Sequence, residues 1–338
     1  MSLEPKLKVS VVVATYNRPK LLPLLLDDLD RQTLDSADFE VILVDDGSTV
    51  PAASVVEGRT TRYALSLITQ ANAGQAAARH RGISQARHEL IVIVDDDMRL
   101  PETFLFAHRR AHQQGFRVVL GHIKPAQTLA EMPIFERFHA HQLDKHVCEY
   151  RRGARVPGTD LCTGNVSLRR ADYFEVGGFD TSLVRSEDRE LGIRLEELGA
   201  NFTFAEDAYS VHGSDHTRLD VWRRRAFLYG ISDSRISDKH RKLLHVDPWS
   251  YFFAMHPISR PLFLFATAVP RLGESLTDAI IAISLWFDRR GFEGLALRGT
   301  TVVYGLEYFR GVREHSGSFF GAARGLARFL VKTSARAR

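Results

Sequence analysis

The chain has 338 residues, of which 44% are hydrophobic and 25% charged, and its formal net charge is +4. That length can bury a large core in one large domain or two smaller ones, and the composition excludes a disordered or fibrous chain. The two cysteines, Cys148 and Cys162, form no CxxC pair and no metal-ligand spacing, which excludes a structural zinc site and suits a reducing cytoplasm.

Residues 9–14 (VSVVVA) are a β-branched run flanked by polar sequence, which predicts a strand buried on both faces, as in a parallel sheet. Thr15-Tyr16-Asn17 follows. Arg18-Pro19 then suits the first turn of a helix whose stripe is Leu21, Leu22, Leu24, Leu25 and Leu29. Residues 39–44 are the next strand, ending in Asp45-Asp46-Gly47-Ser48. Residues 64–69 are a third, followed by Asn72-Ala73-Gly74 and an alanine-rich helix over 75–86. Residues 90–94 (LIVIV) are a fourth strand and run into Asp95, Asp96 and Asp97. Three adjacent acids repel one another, and a hard divalent cation is the simplest compensator. A solvated acidic turn before the helix that Pro101 starts is the plain alternative.

Strands alternating with helices argue for a doubly wound, mostly parallel sheet. Its carboxyl edge collects four polar clusters, TYN, DDGS, NAG and DDD, and in such sheets that edge binds ligands. Four clusters in register suggest a nucleotide-sized crevice. No GxGxxG follows the first strand and no GxxxxGK[ST] occurs, so bound phosphates would need another counter-charge, such as a cation held by the triplet.

A helix is expected from residue 101 to 114, a strand over 117–121 and a helix over 135–150. That last helix carries His139, His141 and His146; the first two cannot share a helix face, and ordinary surface or acceptor-site roles outweigh a metal. CTGNVSLRR (162–170) holds Gly164-Asn165, a flexible backbone beside a side chain that donates and accepts. SEDREL (186–191) opens a helix that stops at Gly199. Acids in a first turn favour the helix dipole, which is the plain reading of Glu187 and Asp188. Residues 201–205 are a strand leading to Glu206-Asp207 and then to His212, with His216 close behind.

Beyond residue 215 the sequence turns basic and aromatic, with Arg223, Arg224, Arg225, Lys239, Arg241 and Lys242. The tail from Phe319 sets apolar residues against Arg324, Arg328 and Lys332. An anionic membrane surface, packing back on the chain and an oligomer contact all suit such a helix. No nucleic-acid motif accompanies the charge. The N-terminal apolar run is too short for a signal peptide, and no segment reaches the roughly 18 uninterrupted apolar residues of a membrane span. A cytoplasmic protein, at most peripheral at the inner face of a membrane, is expected.

VSVVVATYNRP, VDDGS, NAGQAAARHRGIS, VDDD, TGNVSLRR, GGFD, SEDRELGIRL and a later histidine occur in the order of family 2 glycosyltransferases, which the chain resembles over roughly residues 7–215. The resemblance implies the GT-A fold: a doubly wound mixed sheet over 1–215, with a nucleotide-binding half (1–100) and a metal and acceptor half (101–215). A mostly helical region, 216–338, would follow. It implies that Tyr16 and Asp46, with Thr15 beside them, contact the nucleoside of a sugar-nucleotide donor, and that Asn72 and Arg79 lie near the donor nucleotide or its diphosphate. Asp95 and Asp97 match the outer positions of the DxD motif that holds Mn²⁺ or Mg²⁺, and Asp96 would point toward ribose or backbone donors. Gly164 and Asn165 match the sugar and acceptor pocket. Asp188 matches the catalytic base, Glu187 binds acceptor or sugar beside it, and His212 matches the histidine that completes the metal shell in some members. UDP is the expected nucleotide; the acceptor could be a glycan, a lipid carrier, a protein or a metabolite.

Two other classes compete. A non-catalytic sugar-nucleotide-binding scaffold would be expected to lose the base or the triplet, and both are present. A sugar nucleotidyltransferase would carry a glycine-rich loop after the first strand, where this chain reads TYNRPK.

Overall fold

The computed structural model describes residues 7–126, 129–213 and 218–336, so His216 and the expected domain boundary at residue 215 lie outside the described residues. The chain divides into two compact units, residues 1–127 with 143–215 and residues 128–142 with 216–338.

In the first unit the β-branched runs form strands β1 (Val9–Thr15), β2 (Phe39–Asp45), β3 (Ala64–Thr69) and β4 (Leu90–Val94). Helices α1 (Leu22–Asp30), α2 (Ala53–Val56) and α3 (Gln75–Gln85) connect them. Then follow β5 (Met98–Arg99), α4 (Phe104–Gln113), β6 (Val118–Pro125) and α5 (Ile134–Arg151), within which the division at Gln142 falls. The last elements are β7 (Asn165–Arg169), α6 (Arg170–Glu175), α7 (Glu187–Glu197) and β8 (Phe202–His212). All strands join one sheet in the order β3-β2-β1-β4-β7-β6-β8-β5.

Alternation along the strands explains why the runs are apolar throughout. Val9, Val11 and Val13 of β1, with Val92 and Val94 of β4, pack against Leu22, Leu25 and Phe104 on one face. Val12, Ile91 and Ile93 pack against Ala78, Ile83 and Leu191 on the other. Each such side chain contributes about 1.5–3 kcal/mol by leaving water.

The four N-terminal strands are parallel, with Thr15 beside Asp45 and Asp45 beside Thr69. β7 breaks that pattern by pairing antiparallel to β4, Val94 opposite Asn165, and β5 pairs antiparallel to β8, Met98 opposite His212. The sheet is therefore mixed. The sequence assigns no element to residues 162–170, yet Asn165–Arg169 is a central strand. Val166 and Leu168 face one core, while Asn165 and Ser167 face two buried histidines of α4. His108 bonds Ser167 Oγ (2.8 Å) and Asn165 Oδ1 (2.9 Å), and His112 bonds Ser167 Oγ (2.8 Å). Polar residues satisfied inside a core hide the strand from a hydrophobic pattern. Likewise β8 continues past Glu206-Asp207, where the sequence reading stops at residue 205.

The second unit adds α8 (Leu219–Lys239), α9 (Pro248–Ala254), α10 (Arg260–Ala268), α11 (Pro270–Arg289), α12 (Glu293–His315) and α13 (Phe319–Arg336). Trp249, Phe252, Phe263, Phe309 and Phe329 build one aromatic core; Phe135, Phe138, Trp222 and Val303 build another. No helix among the described residues is long and apolar enough to cross a membrane.

Candidate active site

Because β1 to β4 are parallel, their carboxyl ends bring the polar clusters to one edge. Asp45 ties its own turn, accepting from the Ser48 and Ala52 N–H groups (2.9 and 2.8 Å). Burial opposes its charge, but these bonds outweigh it and hold the carboxyl below its ordinary value. Asp46 accepts from Gln70 Nε2 (2.8 Å) and from the Ala73 and Gly74 N–H groups (2.9 Å each). Its carboxylate therefore orders the loop bearing Asn72. Tyr16, 49% exposed, and Asn72 present their side chains to solvent at this edge.

Arg79 is the hub. It rises from α3, is only 3% exposed, and donates to Asp95 Oδ1 (2.6 Å) and to Glu187 Oε1 (2.9 Å). Burial works against its charge, but the two carboxylates more than offset that and raise its pKa. Gln75, at the start of α3, adds a bond to Glu187 Oε1 (2.9 Å). One cation thus joins the acids after β4 to those opening α7.

Asp188 follows Glu187 in the first turn of α7. Its carboxylate takes the Arg189 N–H (2.8 Å), and burial, reinforced by the charge of Glu187, lifts its pKa to about 7. A carboxyl poised there can accept a proton near neutrality. Ser186, just before it, has φ 60°, and Asn17 after β1 has φ 55°; among the described residues these are the non-glycine positions with positive φ. Such backbone costs of order 1–3 kcal/mol and clusters at functional sites.

The acid triplet is divided among partners. Asp95 faces Arg79. Asp96, pushed up to about 7 chiefly by burial, accepts from Thr15 Oγ1 (2.6 Å), so its partner is a side chain of β1. Asp97 Oδ2 lies 3.5 Å from His212 Nε2 and 3.8 Å from Arg18 Nη2. The Met98–His212 pairing and the bond from the Gly213 N–H to the Asp97 carbonyl (2.8 Å) bring His212 there. Among the described residues no three His, Cys, Asp or Glu side chains are grouped to hold a metal ion. In kind the donors fit: carboxylate oxygens and an imidazole suit Mn²⁺ or Mg²⁺ with diphosphate oxygens and water as further ligands.

Gly164 borders the triplet, since a Cβ there would lie 3.4 Å from Asp95 Oδ2 and 3.0 Å from Met98 Cε. Asn165 turns the other way. Its side chain is buried, donating to the Ala208 carbonyl (2.9 Å) and Ser210 Oγ (3.1 Å) and bonding His108, so it braces the sheet instead of lining the crevice. Sequence reasoning missed Arg18 and Gln75; a basic or amide residue in the first polar turn after a strand was the available signal. It also missed Cys162, whose thiol is pushed up to about 12 by burial and by Asp188, and nothing in its spacing marks it.

Residues 10–175 match the family described as Glycosyl transferase family 2. Validoxylamine A glucosyltransferase of Streptomyces hygroscopicus subsp. limoneus is 31% identical over 263 residues, covering 70% of this chain and 57% of that protein. For the protein of the same name from Streptomyces hygroscopicus subsp. jinggangensis, also 31% identical, the covered share is 62%. The chain spans about three-fifths of the length of these curated relatives. Among solved structures, mannosyltransferase PcManGT from Pyrobaculum calidifontis in complex with GDP-Man and Mn²⁺ superposes with a TM-score of 0.56 at 20% identity, covering 87% of this chain and 86% of that one. TarS 1–349 of S. aureus in complex with UDP-GlcNAc gives 0.53 at 18% identity, covering 91% of each. At these identities the likeness is one of fold.

Proposed function

We propose, from the match of residues 10–175 to Glycosyl transferase family 2, that the chain transfers a sugar from a nucleoside-diphospho-sugar to an acceptor hydroxyl, with inversion at the anomeric carbon. The transferase domain is assigned to residues 1–215. The observation that carries this reading is the buried Arg79, which ties Asp95, at the diphosphate end of the crevice, to the α7 turn holding Asp188.

Asp188 takes the proton of the attacking hydroxyl as the new C–O bond forms and the bond from the anomeric carbon to the diphosphate oxygen breaks. Positioned proton transfer of this kind contributes roughly 10²–10⁴ in rate. One base suffices because attack is direct, and no covalent sugar intermediate forms. Glu187, fixed by Arg79 and Gln75, positions the acceptor or sugar. Asp95, Asp97 and His212 would hold Mn²⁺ or Mg²⁺, which when bound neutralises charge on the departing diphosphate as a Lewis acid. Thr15 and Tyr16 receive the nucleoside, with the loop ordered by Asp46 beside them. Uracil is the proposed base, and the neighbour bound to UDP-GlcNAc supports it; the GDP-Man complex with Mn²⁺ supports a metal-held nucleotide sugar. The relatives' glucosyltransferase name supports hexosyl transfer.

Hydrolysis and binding of a panel of UDP-, GDP- and dTDP-sugars, with and without Mn²⁺, tests this. One nucleotide series should bind and turn over only with the metal. Binding with no turnover for any sugar or acceptor would favour a scaffold.

A further inference from the structure

α13 carries Arg324, Arg328 and Lys332 at four-residue intervals, which stacks three cations on one helix face, where like charges weaken the helix. The helix is held by its other face: Ala322 and Phe329 are buried, and Phe329 stacks on Phe253 with ring centroids 5.7 Å apart. The cationic face lines a cavity of about 660 Å³ within the second unit, with Arg241 and Trp249 on its wall. A Cβ at residue 325 would meet Trp249 Nε1 at 3.0 Å, so glycine lets the indole lie against the helix between the two arginines.

The cations have only backbone partners here. Arg241 Nε donates to the Asp238 carbonyl (3.0 Å), Arg324 Nε to Phe320 (3.4 Å), Arg328 Nε to Arg324 (3.4 Å), and Lys332 Nζ to Arg241 (3.1 Å). The acids of the wall are engaged elsewhere. Asp238 pairs with His315 (2.8 Å), and Asp247 caps α9 by accepting from the Trp249 N–H (3.0 Å). Asp247 is near enough for Lys332 and Arg328 to act on its carboxyl, but among the described residues no carboxylate lies within ion-pair distance of these four cations, so the wall is left with a surplus of positive charge.

We propose that this cavity is a second binding site, separate from the sugar-nucleotide crevice, and that it takes a phosphoryl group. Guanidinium forks match phosphate oxygens two at a time, Lys332 adds a point charge, and the volume suits a small ligand or a headgroup. A phosphorylated metabolite and a lipid phosphate share this chemistry, and the test separates them.

The full chain is titrated calorimetrically with pyrophosphate in EDTA, and sedimented with phosphatidylcholine vesicles with and without phosphatidic acid. Arg324→Gln/Arg328→Gln is the variant, and circular dichroism verifies its fold. Whichever probe the wild type binds should bind the variant roughly tenfold or more weakly, the worth of a charge-assisted hydrogen bond. Loss of pyrophosphate identifies a soluble ligand, and loss of phosphatidic acid vesicles alone identifies a lipid. Lys332→Gln should weaken the same probe to a smaller extent. Wild-type binding of neither probe, or a variant that binds as the wild type does, overturns the proposal. Pyrophosphate held in the sugar-nucleotide crevice would give that second outcome.

Discussion

In the sheet unit Arg79 is 3% exposed and holds two carboxylates, whereas in the helical unit Arg324 and Arg328 reach only backbone carbonyls. The two regions handle charge differently. A buried cation must carry its counter-charge with it, because desolvation without a partner costs several kcal/mol. A cation at the wall of an open cavity keeps its water and stays available to a ligand from solution. The first arrangement acts on its neighbours: burial and the charge of Glu187 lift Asp188 to about 7, and Arg79 pulls against that rise. The second can only capture.

Removing Arg79 breaks the comparison most severely. Arg79→Met leaves Glu187 buried without its cation and should cost about 3–5 kcal/mol in urea denaturation. Arg79→Lys should recover part of it, and a variant as stable as the wild type would show that Arg79 is not the hub.

The raised pKa of Asp188 supplies the next effects. The base is needed deprotonated, so kcat/KM should fall roughly tenfold per pH unit below about 7 and level off above it. The same shift burdens the fold: a carboxyl whose pKa rises on folding loses stability as pH climbs from its unfolded value through its folded one. Asp188→Asn should accordingly melt above the wild type at pH 8, with the gap closing by pH 4. An equal gap at both values would assign the effect to packing.

Smaller effects sharpen the contrast. His212→Ala should lower Mn²⁺ affinity by roughly tenfold, read by metal titration of the nucleotide complex. Unchanged metal dependence would remove His212 from the donor set. Raising NaCl should weaken phosphate capture by α13 while leaving the Arg79 ion pairs intact, since screening acts on exposed charge.

What could be read from the sequence follows the same division. β1, β2 and β4 are apolar runs whose polar ends had to share an edge, so Asp95 was nameable from pattern, whereas Arg79 and Asp188, on helices, were named through the resemblance. β7 was not, because Asn165 and Ser167 satisfy buried His108 and His112 across the sheet, a pairing no local pattern contains. Asp46 and Asn165 were named by resemblance, and their bonds to Gln70, the Ala73 and Gly74 N–H groups, Ala208 and Ser210 are tertiary contacts that no local pattern contains. The α13 cations were visible as a basic amphipathic helix. That they wall a cavity depends on Gly325 and Trp249 meeting across the unit, 76 residues apart in sequence.

In the proposed reaction Asp188 moves the proton and does not hold the nucleotide. Asp188→Asn, assayed for transfer with the donor that the sugar-nucleotide panel identifies and titrated with the corresponding nucleoside diphosphate in Mn²⁺, tests it directly. Turnover should drop by roughly 10²–10⁴ while the nucleotide binds almost as before. Unchanged turnover, or binding lost in step with it, would contradict the assignment.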